Sequence, residues 1–189
     1  MKKLLFLTIF ITSLFGDAKV YTGVSYGAFN ETFYGTNNTS VLTNSIKAKI
    51  GYGIRESYAI ELAVEYTKNK ENIFSDVGTT DGDKLGFNIE FLKAFDLDIY
   101  INPFFKAGFG AGSFSIEKQS KVTDKLSYGS FNLGGGIFIP IDENFDIEIG
   151  YEYRYMTYEN FDTATTSENR GPVFQSHVNV GYIGFNVRF

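Results

Sequence analysis

Tyr58-Ala59-Ile60-Glu61-Leu62-Ala63-Val64-Glu65-Tyr66-Thr67 alternates without a break. Tyr58, Ile60, Leu62, Val64 and Tyr66 share one parity, and Ala59, Glu61, Ala63, Glu65 and Thr67 share the other. Because a strand turns successive side chains to opposite faces, this stretch describes a ribbon with one apolar face and one acidic or small face. The preceding segment repeats the pattern, with Ile46, Ala48, Ile50, Tyr52 and Ile54 opposed by Ser45, Lys47, Lys49, Gly51 and Gly53. Only Arg55-Glu56-Ser57 lies between the two runs, which is the length of a tight hairpin connection.

Working outward, the same module recurs. Leu85, Phe87, Ile89, Phe91 and Phe95 alternate with Lys84, Gly86, Asn88 and Glu90; beyond Asp96-Leu97-Asp98, Ile101, Phe105, Ala107, Phe109 and Ala111 alternate with Asn102, Lys106, Gly108, Gly110 and Gly112. A third pair turns at Asp142-Glu143-Asn144, with Phe131, Leu133, Ile137, Ile139 and Ile141 before it and Phe145, Ile147, Ile149, Tyr151, Tyr153 and Tyr155 after it. With outer strands near 20–30 and 174–189, the mature chain reads as four hairpins and eight strands. Three connections are tight, while those near 31–44, 68–83, 115–129 and 159–173 are polar and long. A soluble domain rarely keeps several structureless loops of that length, whereas short turns at one end and long loops at the other are what a transmembrane barrel shows.

The chain has 189 residues, with 20 Gly, 20 Phe and 13 Tyr but 3 Pro, 1 His and no Cys or Trp. Without cysteine there is no disulfide framework, thiolate metal site or thiol nucleophile, and one histidine excludes any site built on two imidazoles. Its formal charge of -5 argues against a nucleic-acid partner. Met1, Lys2 and Lys3 precede the apolar run Leu4–Phe15, and Gly16-Asp17-Ala18 supplies small residues for cleavage, so residues 1–18 are expected to be a signal peptide. Twelve apolar residues span only about 18 Å as a helix, too short for a bilayer core of roughly 30 Å. The expected mature domain, 19–189, carries 15 basic and 21 acidic residues, or -6.

Alternation alone leaves open which face is inside, and a secreted lipocalin-like binding barrel must be weighed. Three features favour an apolar outside. Glycine is dense on the polar faces, which suits a crowded interior. Aromatics gather at strand ends, with Tyr58, Phe95, Phe145 and Phe189 near the turns and Tyr66, Phe87, Phe131, Tyr155 and Phe174 near the loops, as in headgroup girdles. Finally, the chain ends in an alternating strand.

That ending, Gly184-Phe185-Asn186-Val187-Arg188-Phe189, resembles the last-strand signal by which bacterial outer-membrane barrels are recognised for assembly, carried by Gly184, Phe185, Val187 and Phe189. Together with the signal peptide and the four hairpins, the chain resembles the small eight-stranded outer-membrane barrels of the OmpA/OmpX and opacity-protein kind. The resemblance implies an all-β, antiparallel up-and-down transmembrane barrel in the cell outer membrane of a Gram-negative bacterium. Its implied partners are outer-membrane lipid and lipopolysaccharide, the barrel assembly machinery and a host or surface ligand met through the loops. Parity slips in the last strand: Val178, Val180 and Tyr182 lie on one parity and Ile183, Phe185, Val187 and Phe189 on the other. A β-bulge near Tyr182–Gly184 is expected to restore the outward set.

An eight-stranded barrel is just wide enough for side chains to fill. Here the inward parity carries Lys47, Lys49, Glu61, Glu65, Glu90, Lys106, Glu148, Glu152 and Arg154, costly to bury unpaired. A first turn centred on Glu56 puts Lys47 opposite Glu65, with Lys49 diagonal between Glu61 and Glu65. A second centred on Leu97 puts Asn88 opposite Lys106, with Glu90 one diagonal away. The third, centred on Glu143, puts Asn132 opposite Arg154 and Gly134 opposite Glu152. Such a network locks a barrel more readily than it conducts ions.

Catalysis would need a nucleophile, a base and an orienting acid close together. The sole imidazole, His177, follows Ser176 on a strand, so the two point to opposite faces. Parity is expected to put His177 inside with Gln175 and Asn179. No catalytic, cofactor or metal site follows. The sequence reads as a barrel with a side-chain-filled polar interior that contributes to envelope integrity or surface interactions through four loops. The alternatives are a narrow channel for small or hydrophobic solutes, then a secreted binding barrel or a lipid-modifying enzyme.

Overall fold

The computed structural model describes residues 18–34, 39–68, 79–80, 82–118, 123–158 and 175–189. These form β1 (Lys19–Tyr34), β2 (Thr39–Gly53), β3 (Tyr58–Lys68), β4 (Thr79–Thr80), β5 (Asp83–Ala94), β6 (Asn102–Lys118), β7 (Thr123–Pro140), β8 (Phe145–Tyr158) and β9 (Gln175–Arg188). Eight are long, and β4 is a two-residue strand paired with the loop end of β6. Each long strand pairs antiparallel with its long neighbours in the chain. β1 also pairs with β9, from Tyr21 opposite Arg188 to Tyr34 opposite Gln175, so the sheet closes. The result is an eight-stranded up-and-down barrel with no free long edge. Among the described residues no helix is long and apolar enough to cross a membrane.

Burial decides which face is inside. On the apolar parity Ile89 is 61% exposed and Phe109 69%, whereas Glu61 and Glu152 on the other parity are 0% exposed. A water-soluble barrel would have the reverse, because burying apolar surface is what stabilises it. The outer wall is therefore a hydrocarbon-facing surface and the charges line the lumen.

Two tight turns set their registers as expected. Ser57 N–H donates to the Ile54 carbonyl and Ile54 N–H to the Tyr58 carbonyl, which places Lys47 opposite Glu65. In the third turn the Asp142 carboxylate accepts from the N–H groups of Asn144 and Phe145, and Asn132 faces Arg154.

The second turn differs. It spans 95–101, with Asp98 at φ 54° and its N–H bonded to the Asp96 carboxylate, a conformation Asp tolerates through such local bonds. Its extra length shifts the register: Lys106 faces Leu92, and Asn88 faces Gly110. Two connections are also shorter than the polar composition suggested. β1 and β2 run to Tyr34 and from Thr39, and β6 and β7 run to Lys118 and from Thr123, so most of 31–44 and 115–129 is strand. Most of 68–83 and all of 159–173 lie outside the described residues, as does Phe174.

The expected bulge in the last strand is absent. β9 keeps one register with both neighbours from Gln175 to Val187, so its even positions face inward throughout. Val178 and Val180 point into the lumen because the lumen itself becomes apolar toward the loops, where they pack with Phe29, Phe33, Phe114, Leu126 and Met156. His177 consequently faces outward, and Ser176 is the buried one.

Candidate functional site

The lumen is filled in three levels. At the turn end, Arg188 Nε donates to Asp146 Oδ2 at 2.6 Å and Arg55 Nη1 donates to Asp146 Oδ1 at 3.0 Å. The Arg188 guanidinium lies 4.5 Å from the centre of the Tyr21 ring, beside the stacked pair Phe104 and Phe138.

At mid-barrel the nine charges expected inside all come together, buried. Lys106 Nζ lies 3.1 Å from Glu90 Oε2 and 2.8 Å from Glu152 Oε2. Lys47 Nζ lies 3.1 Å from Glu152 and 3.6 Å from Glu90. Arg154 bridges Glu65 through Nη1 and Glu152 through Nε. Lys49 joins Glu61, at 2.7 Å, to Glu148. The expected Lys47–Glu65 pair does not form although the two face each other. Lys47 instead reaches across the lumen to β5 and β8, and Arg154 takes Glu65. Of the partners expected for Lys49, Glu61 is present and Glu65 is replaced by Glu148. Glu90–Lys106 survives the register error because Lys106 sits one diagonal from Glu90 in either register.

Tyrosine and asparagine complete this level. Tyr21 donates to Glu61 at 2.6 Å, Tyr182 to Glu148 at 2.9 Å and Asn186 to Glu148 at 3.1 Å. The long rings need room, and glycine supplies it: a Cβ at Gly51 would collide with Tyr21, and one at Gly150 with Tyr182.

Toward the loops stands a second charged site that alternation alone did not select. Lys84 pairs with Glu31 and bonds Tyr158 Oη at 2.7 Å, while Tyr158 and Ser176 each donate to Glu31 Oε1 at 2.6 Å. Lys84 Nζ lies 4.8–5.7 Å from the ring centres of Phe29, Phe33, Phe114 and Tyr158. Glu31 shares the inward parity of Phe29 and Phe33, which was the available signal, and its position in a polar stretch hid it.

Among the described residues the lumen is electrically balanced. Lys47, Lys49, Arg55, Lys84, Lys106, Arg154 and Arg188 stand against Glu31, Glu61, Glu65, Glu90, Asp146, Glu148 and Glu152. No group of three acidic or imidazole side chains there is placed to hold a metal ion. Of the last-strand residues, Phe185 and Phe189 face outward, with Phe185 stacked on Phe145 at 5.6 Å, while Gly184 faces inward against Ser25.

A closed wall that is apolar outside and charge-paired within defines an integral membrane β-barrel. The sequence matches the family model described as outer membrane protein beta-barrel domain over residues 4–188. The chain belongs to that family, and its place is the cell outer membrane. In fold it is similar to Neisserial surface protein A (17% identity, 91% of this chain and 99% of that chain covered, TM-score 0.64). It is also similar to Ail, the attachment invasion locus protein of Yersinia pestis (17% identity, 89% and 98% covered, TM-score 0.55). Ail in complex with the heparin analogue sucrose octasulfate aligns at 15% identity, with 90% and 99% covered and a TM-score of 0.51. No curated protein sequence matches the chain.

Proposed function

We propose that the protein is a plugged, non-catalytic barrel that reinforces the outer membrane and presents its loops for surface interactions. The observation that carries this reading is the ion-paired column: seven cations and seven anions are neutralised across the lumen, at levels stacked from turn end to loop end. A permeating ion would have to displace several of these pairs at once. The only imidazole faces outward, away from every lumen carboxylate, which supports a role without catalysis.

Ail's complex with a sulfated sugar shows a polyanion partner for that barrel. The present chain's formal charge of -5 favours a neutral or cationic surface ligand instead. The closing strand, with Phe185 and Phe189 outward, is suited to recognition by the barrel assembly machinery. A narrow channel is the second reading, favoured by mid-lumen atoms without protein partners, Glu65 Oε1, Asn132 Oδ1 and Arg154 Nη2, which are satisfied if water enters. Planar-bilayer recording decides between them. The plug reading expects at most small, rare openings, and a large steady conductance would overturn it.

A further inference from the structure

Polar side chains on the outer wall are costly in hydrocarbon, so their position says what surrounds the barrel there. β9 carries an unusual pair facing outward, His177 and Asn179. The His177 ring packs against Tyr34, Tyr153 and Tyr155 at centroid distances of 4.8, 5.6 and 5.3 Å. The Tyr153 hydroxyl meets His177 Nδ1, and the Tyr151 hydroxyl donates to Asn179 Oδ1. With Tyr153 donating, the imidazole proton sits on Nε2. Both tyrosine hydroxyls are thus tied to the protein, while His177 Nε2 and Asn179 Nδ2 remain as neutral donors on a platform of aromatic faces.

Below this cluster, on the same three strands and the neighbouring β2, the wall has an apolar groove of about 450 Å³ lined by Val24, Tyr26, Ile46, Ile147, Ile183 and Phe185. Between groove and cluster lies Gly181, flanked by Ala28 on β1, and a Cβ there would meet nothing within 4 Å. Gly181 and Ala28 thus leave the wall low between the groove and the polar platform, with Tyr151 of β8 alongside as it reaches Asn179. From Ile183 to His177 the strand rises about 20 Å, or ~15 Å of depth at the tilt of such barrels, which is the thickness of one leaflet.

The geometry points to a seated lipid of the outer leaflet, its acyl chain in the groove and its headgroup on His177 and Asn179. Because the long loops of such barrels are extracellular, that leaflet is the outer one. Neutral donors beside aromatic faces suit sugar hydroxyls, so we commit to lipopolysaccharide over phospholipid. The site rests on the membrane placement and is independent of whether the lumen conducts.

The chain has no tryptophan, so a single introduced one is a clean reporter. Ile149→Trp places it beside Ile183, and Ile89→Trp places it on β5, across the barrel from β9. Both are reconstituted in vesicles of phosphatidylcholine with brominated acyl chains, which quench the indole, and unbrominated lipopolysaccharide is titrated in. Emission at 149 should recover at a several-fold lower mole fraction than at 89, and His177→Ala with Asn179→Ala should abolish the difference. His177→Phe, which keeps the ring packing, should reduce it. Equal recovery at the two positions, or a preference that survives loss of both donors, would overturn the site. Heat-modifiable gel migration of every variant reports insertion separately, so failure of the barrel itself is distinguishable.

Discussion

At mid-barrel Lys106 has two carboxylates within 3.1 Å and Glu152 has three cationic partners, Lys47, Lys106 and Arg154. Toward the loops Lys84 has one carboxylate, Glu31, and its other neighbours are rings and the Tyr158 hydroxyl. Both are buried charge, but the first is shared and the second is held singly in an apolar setting. A shared charge can lose one partner and keep its neutralisation. A lone pair cannot, so the apolar level should be the more fragile although it holds fewer charges.

The largest effect should therefore come from Lys84→Ala, which takes from Glu31, itself 0% exposed, its only ion-pairing cation among the described residues and leaves it the Tyr158 and Ser176 hydroxyls alone; a loss of about 3–5 kcal/mol is expected. Urea unfolding of the barrel in detergent measures it, and Lys84→Met with Glu31→Leu should restore most of the stability. If the double variant is as unstable as the single one, the lone-pair account fails. Lys106→Met should cost about 2 kcal/mol, because Glu152 keeps Lys47 and Arg154 and Glu90 keeps Lys47. A Lys106→Met loss as large as that of Lys84→Ala would show that the network does not share its charge.

Gly51→Ala tests the space that the shared level needs, since the new methyl meets the Tyr21 ring and pushes its hydroxyl from Glu61. Overpacking of that kind costs about 1–3 kcal/mol, read as a lowered midpoint of heat-modifiable migration. The smallest effect belongs outside the lumen. Lys93 Nζ stands 3.9 Å from the centre of the Tyr58 ring at the turn end of the wall, and Lys93→Ala should cost about 0.5–1 kcal/mol.

The same contrast explains what was legible in the sequence. Mid-barrel alternation is strict, and polar triplets at 55–57 and 142–144 mark turns short enough to fix register by symmetry, so Lys47 opposite Glu65 and Asn132 opposite Arg154 could be read directly. Partner choice could not. It depends on which side chains converge across a cylinder, and strand pairing says nothing of that. The seven-residue second turn was masked by Asp96-Leu97-Asp98, which looks like a complete connection. At the loop end the rule that apolar residues face out breaks down, because Phe29, Phe33, Val178 and Val180 fill the lumen. Glu31, Tyr158 and Ser176 are hidden from alternation for that reason, and β9 needs no bulge because Val178 and Val180 belong inside.

Several lumen pairs join strands far apart around the ring: Lys49 of β2 with Glu148 of β8, Glu65 of β3 with Arg154 of β8, and Glu31 of β1 with Lys84 of β5. A sheet of three or four strands therefore keeps only pairs between neighbours, such as Lys49 with Glu61 or Glu90 with Lys106, and its remaining charges stay uncompensated, so it cannot turn that face to lipid or to another sheet. The cross-lumen part of the neutralisation arrives with the seam between β1 and β9, in one step. Assembly should thus be all-or-none, with partial sheets kept wet until the cylinder shuts.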